Sequence, residues 1–268
     1  MAELRSSNPA FSRMSFGGPQ PAPPTGGPWP TGPGYPPPSP EQLASHFRRP
    51  DRLTMDDVIV HTLGVFGIMG VAAAVGWVLS PDSPGIALGA GVVALALSFV
   101  ISLRSRVSPA LIVVFALLEG LLVGGVSRFY EEAFSGIVVQ ALLGTALVFV
   151  GMLAAYRSGR LRATPRMARI VFGTLLGVVL LGLTDLLIRA TTGSHLPVLN
   201  DATPLGILFS IAVLIVASLQ FILDFDYIER AIASGAPTEE AWRAAFGLLV
   251  GFVWVYLEML RLLAKLRE

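Results

Sequence analysis

The stretch PLGILFSIAVLIVASLQFIL, residues 204–223, runs for twenty residues without a formal charge. At 1.5 Å per residue a helix of that length covers about 30 Å, the hydrocarbon thickness of a bilayer. Lipid offers no hydrogen bonds to backbone N–H and C=O groups, so such a run must pair them within its own segment, as a helix. The strict apolar alternation of a transmembrane β-strand is absent. Six further runs of the same kind flank it, at residues 58–79, 85–103, 109–127, 135–156, 168–188 and 242–263. Pro81, Pro84, Pro109, Pro165, Pro204 and Pro237 punctuate the breaks. The fold expected is therefore all-α, a single bundle of seven transmembrane helices over residues 53–268.

Composition agrees with a membrane protein and removes several other classes. Of the 268 residues 53% are hydrophobic and 14% charged, against roughly 25% charged in a soluble domain. A net charge of +1 supplies no basic field for nucleic acid. With no cysteine there is no disulfide, no thiolate metal site and no cysteine nucleophile. Residues 1–52 read as a disordered cytoplasmic tail. The first 50 residues hold 13 of the 20 prolines, interleaved with Gly17-Gly18 and Gly26-Gly27, and such a composition buries too little apolar surface to offset ordering entropy. No apolar run within them suits a signal peptide.

Arginine sets the expected orientation, because short cytoplasmic loops carry the excess of Lys and Arg. Arg48, Arg49 and Arg52 precede the first span, Arg104 and Arg106 follow the second, and Arg157, Arg160, Arg162, Arg166 and Arg169 surround the fourth connection. The alternate connections are nearly bare. The N-terminus is thus expected in the cytoplasm of a cell whose plasma membrane holds the chain. One feature opposes this: seven crossings put Arg261, Lys265 and Arg267 outside, so a full crossing is favoured for the last span over partial re-entry.

Ionisable side chains within spans are costly and are functional candidates for that reason. Glu119 lies ten residues into the third span, about 15 Å deep, with its nearest arginine, Arg128, nine residues away. It must face the bundle interior, be protonated, or pair with another helix. Asp224 and Asp226 follow the uncharged run and point about 200° apart, so only one can face the core. Asp226 can pair with Arg230 at i, i+4, which leaves Asp224 the stronger candidate. Asp185 with Arg189, and Glu258 with Arg261, read as interfacial pairs and secondary candidates. His61 reads as a packed polar residue. No firm metal site, cofactor or catalytic constellation emerges. A serine protease would need histidine beside a Gly-flanked serine, and an aspartyl protease two facing carboxylates at one depth. GxxxG spacings at Gly85/Gly89, Gly120/Gly124, Gly173/Gly177 and Gly247/Gly251 allow close backbone approach. They are read as internal packing of a monomer.

Four segments carry a family resemblance: FALLEGLLVGG (115–125), QALLGTALVF (140–149), FILDFDYIERAIASG (221–235) and FGLLVGFVWVYLEMLRLL (246–263). Together they resemble the transmembrane Bax-inhibitor-motif proteins, and Ser7-Asn8-Pro9-Ala10-Phe11 is similar to the opening of a bacterial branch with a Pro/Gly-rich tail. The resemblance implies a seven-helix fold and, for some members, a pH-sensitive calcium leak governed by paired aspartates on the sixth and seventh helices. Asp224 matches the sixth-helix aspartate, eleven residues before Gly235. The seventh helix departs, with Gly247 and Gly251 where acidic residues are often found. Glu119 is then the candidate for the missing carboxylate, and Arg104 and Arg106 for latch cations. The alternative is a non-conducting regulator that binds membrane protein partners, such as a membrane protease.

The arginine asymmetry predicts that reporters fused at residue 50 or 162 read cytoplasmic and those at 82 or 195 external. A cytoplasmic signal at 82 would overturn this orientation.

Overall fold

A computed structural model of the chain describes residues 52–81 and 83–268. The tail expected over 1–52 lies outside the described residues apart from Arg52. Seven long helices follow one another: α1 (Met55–Leu79), α2 (Pro84–Leu103), α3 (Pro109–Ala133), α4 (Ile137–Arg157), α5 (Pro165–Thr192), α6 (Pro204–Ala233) and α7 (Glu240–Arg267). A single helical turn, Pro197–Asn200, lies between α5 and α6. All seven long helices are of a length and apolarity to cross a membrane.

The helices outrun the apolar runs because local chemistry extends them. At the start of α1 Thr54 and Asp57 form a capping box: Asp57 N–H donates to Thr54 Oγ1 (3.2 Å) and Thr54 N–H to Asp57 Oδ2 (2.9 Å). The helix therefore begins at Met55, ahead of the apolar residues. Proline occupies the first turn of α2, α3, α5 and α6, where no N–H is needed. Helix α6 continues ten residues past Leu223 and ends before Gly235, whose φ of +66° reverses the chain toward α7. Asp224 thus sits inside a continuous helix.

Helix α7 is the hub. Sixteen of its residues are buried, and it packs against α1, α3, α4 and α6. One apolar cluster joins α7 to α4 and α6 through Phe221, Phe225 and Trp254, with Phe149 edge-on to Phe221 and Phe225. The other joins α7 to α1 and α3 through Val65, Phe115, Phe246 and Leu249. His61 of α1 meets Trp242 of α7 edge-to-face at 4.8 Å, as a packed polar residue would.

Helices α1 and α3 make the most extensive pairing. A Cβ on Gly124 would stand 2.0 Å from Ala73 O, one on Gly120 2.5 Å from Met69 O, and one on Gly76 2.4 Å from Leu121 O. These backbones touch, and only glycine permits it. Gly247 and Gly251 are likewise filled, by α6 side chains. At Gly85, Gly89, Gly173 and Gly177, by contrast, a Cβ meets nothing within 4 Å among the described residues, so these two spacings are not seams between described helices.

The two ends of the bundle differ in charge chemistry. At one end lie the start of α1 and the α2–α3, α4–α5 and α6–α7 connections. Leu53 N–H bonds Ala236 O there, and Arg243 Nη2 donates to Ser105 O (2.9 Å). At the other end α7 finishes as an unbroken helix, long and apolar enough for a full crossing. Its basic residues there are used inside the protein. Arg261 pairs with Glu258 (2.7 Å), Lys265 Nζ donates to Gly206 O (3.0 Å), Val198 O and Ser210 Oγ (both 3.2 Å), and Arg267 donates to Ser135 O (3.0 Å) and Gln140 Oε1 (2.8 Å). Lys265 and Arg267 thereby tie α7 to the entry of α6 and to the α3–α4 connection.

Alanine replaces glycine in a helix interior with a gain of about 1 kcal/mol in propensity where space allows. Gly124→Ala should nevertheless lower the melting temperature of detergent-solubilised protein by several degrees, and Gly89→Ala should leave it unchanged or raise it. Equal melting temperatures for the two would contradict the α1–α3 seam.

Candidate functional site

A cavity of about 1360 Å³ opens between α2, α3, α5, α6 and α7. Its lining extends from Arg104, Arg106 and Arg243 at one end to Asp185, Arg189 and Asn200 at the other. Each helix contributes one stripe. From α3 come Phe115, Glu119, Leu122, Val126 and Phe129, spaced at three and four residues along one face. From α6 come Gln220, Asp224 and Tyr227, at i, i+4 and i+7. From α7 come Gly247, Val250, Trp254, Leu257 and Arg261.

Glu119 and Asp224 are therefore brought to one cavity from different helices. Glu119 makes no hydrogen bond or ion pair among the described residues. Its neighbour Gly120 is pressed against α1, and the 100° step between consecutive residues turns Glu119 away from that contact.

Asp224 has a local partner that charge pairing alone did not reveal: Gln220, one turn earlier, donates from Nε2 to Asp224 Oδ1 (3.0 Å). The other oxygen, Oδ2, is buried without a hydrogen bond among the described residues, as are Gln220 Oε1 and Trp254 Nε1. The carboxylate lies against the glycines of α7. A Cβ on Gly247 would be 3.0 Å from Asp224 Oδ1, and one on Gly251 3.3 Å from Asp224 Oδ2. Where the resemblance suggested a second acid, the α7 backbone leaves room for the Asp224 head group instead.

The remaining candidates have structural partners. Asp226 pairs with Arg230. Asp185 accepts from Arg189 Nε (2.8 Å), Leu196 N–H (2.6 Å) and Asn200 Nδ2 (3.0 Å), which ties the α5–α6 connection to α5. Glu258 is buried and bonded to Arg261, with Oε1 unpartnered among the described residues. Arg104 and Arg106 are exposed on the cavity rim and form no ion pair with Asp224 among the described residues. The fixed cation at that end is Arg243, whose Nε is 2.9 Å from Glu240 Oε2, while Tyr227 OH donates to the same oxygen (2.5 Å). Gln220 was findable from its i, i+4 spacing to Asp224. Arg243 and Trp254 were not, because only the packing of α7 turns them to the cavity.

No cluster of three or more His, Cys, Asp or Glu capable of holding a metal occurs among the described residues. Seven long apolar helices, five of which line a cavity that holds carboxylates, define a polytopic α-helical membrane protein. The chain matches the Bax inhibitor 1 like family over residues 8–268, and it belongs to that family. No curated protein matches it in sequence.

Proposed function

We propose that the protein is a pH-sensitive leak for cations, calcium in particular, across the plasma membrane, with Glu119 and Asp224 as its ion-handling groups and no enzymatic activity. The observation supporting this reading is that both carboxylates line one cavity and neither has a cationic partner among the described residues. Calcium is a hard cation that takes oxygen ligands. Asp224 Oδ2 and Gln220 Oε1 both have unused acceptor capacity among the described residues, in helix residues that line the same cavity as Glu119. Two carboxylates and an amide supply fewer ligands than the six to eight of a tight calcium site. That suits conduction, where an ion must bind well enough to enter and weakly enough to leave.

Protonation removes the charge that attracts the cation, so flux falls as pH is lowered through the titration of the pair. Arg104 and Arg106 line the same cavity and supply the cations for a latch on Asp224 in a closed form. Conduction is a property of the monomer in this reading.

A second reading is a non-conducting regulator of membrane partners. It is favoured by the open space at Gly85/Gly89 and Gly173/Gly177, where close-packing seams lack an internal partner.

Purified protein in liposomes loaded with a calcium dye separates the two. Glu119→Gln should abolish pH-dependent flux while preserving or raising thermal stability, since removing an unpaired buried charge relieves desolvation. Asp224→Asn should retain the Gln220 bond and shift the pH midpoint. Wild-type flux and midpoint in both variants would sink the leak and leave the regulator.

A further inference from the structure

Most of the cavity wall is hydrocarbon. Leu88, Val92 and Phe99 of α2 line it on one side and Phe172, Leu176 and Leu183 of α5 on the other, each 42% to 57% exposed. Helix α5 packs substantially only against α6, so the gap between α5 and the α2–α3 pair opens sideways toward the bilayer. At the end of this gap stand Arg104 and Arg106, both exposed on the cavity rim. Neither forms an ion pair among the described residues, whereas Arg189, Arg243 and Arg261 in the same lining are each paired with a carboxylate.

We propose that this crevice is a lipid site: one acyl chain of an anionic phospholipid lies between α2 and α5, and its phosphate is held by Arg104 and Arg106. This goes beyond the leak reading and does not depend on it. Lipid tails are as apolar as leucine, so the walls alone give no preference among lipids. Selectivity has to come from the head group. Guanidinium is a bidentate donor matched to phosphate, and two guanidiniums without carboxylate partners leave a local positive charge that a net anionic lipid neutralises. A zwitterionic lipid offers the same phosphate with its charge cancelled by the attached ammonium. A phosphate bound there also occupies the guanidiniums that would otherwise latch Asp224.

The test is native mass spectrometry of the delipidated full chain, incubated with phosphatidylglycerol or phosphatidylcholine of identical acyl chains. The wild type should retain one phosphatidylglycerol roughly thirtyfold more strongly than phosphatidylcholine, since about 1 kcal/mol for each of two arginines sums to about 2 kcal/mol. The double variant Arg104→Gln/Arg106→Gln should bring the two lipids to parity. Gly182→Phe fills the crevice from α5 at a position with nothing within 4 Å of an added Cβ. It should lower retention of both lipids without lowering the melting temperature. Excess glycerol phosphate, which has the head-group chemistry and no chain, should not displace the lipid. Equal retention of the two lipids by the wild type, a preference surviving in the double variant, unchanged retention in Gly182→Phe, or displacement by glycerol phosphate would each overturn the proposal.

Discussion

The contact on which the rest depends is the bare backbone meeting of α1 and α3 at Gly76, Gly120 and Gly124, where an added Cβ would fall 2.0 to 2.5 Å from a carbonyl oxygen. In lipid there is no hydrophobic drive to bring helices together, so close van der Waals fit and backbone-to-backbone Cα–H···O contacts must do it. The seam also fixes the rotation of α3. With Gly120 and Gly124 turned to α1, the opposite stripe, Phe115 to Phe129, forms one wall of the cavity with Glu119 at its middle. A residue that would be costly against lipid is turned instead toward this cavity.

The same economy of small residues recurs between α6 and α7. Gly247 and Gly251 leave room for the Asp224 carboxylate and the Gln220 stem, so an acid on α6 rests on the backbone of the helix that organises the bundle. Around it, Tyr227, Glu240 and Arg243 link α6 and α7 to the α2–α3 connection through Ser105 O. At the far end Lys265 does the corresponding work, binding carbonyls at Val198 and Gly206 and so holding the entry to α6. Both ends are fastened by hydrogen bonds from α7, and the carboxylates lie between them.

Much of this was legible in the sequence, and the reasons it stopped being legible are physical. Seven apolar runs, all but the third and fourth separated by prolines, give the seven helices directly, since backbone pairing in lipid allows nothing else. Boundaries shifted by up to ten residues because capping chemistry at Thr54 and Asp57, and continued helix beyond Leu223, carry no apolar signal. Glu119 and Asp224 stood out as charges without an assigned cationic partner. Their meeting in one cavity could not be read, because it depends on how far α5 stands from α2. The glycine pairs illustrate the limit well: four identical spacings in the sequence become two filled seams and two open faces, and only the partner helix distinguishes them.

The central claim is that Glu119 and Asp224 share one ion-accessible cavity, and terbium luminescence in the full-length protein tests it most directly. Terbium substitutes for calcium at oxygen sites, and Trp254 lines the same cavity as a built-in sensitiser. The account predicts a saturable signal that calcium displaces, that Trp254→Phe removes, and that Glu119→Gln and Asp224→Asn each weaken at neutral pH. A signal untouched by either carboxylate substitution, or no signal while the protein remains folded, would contradict it.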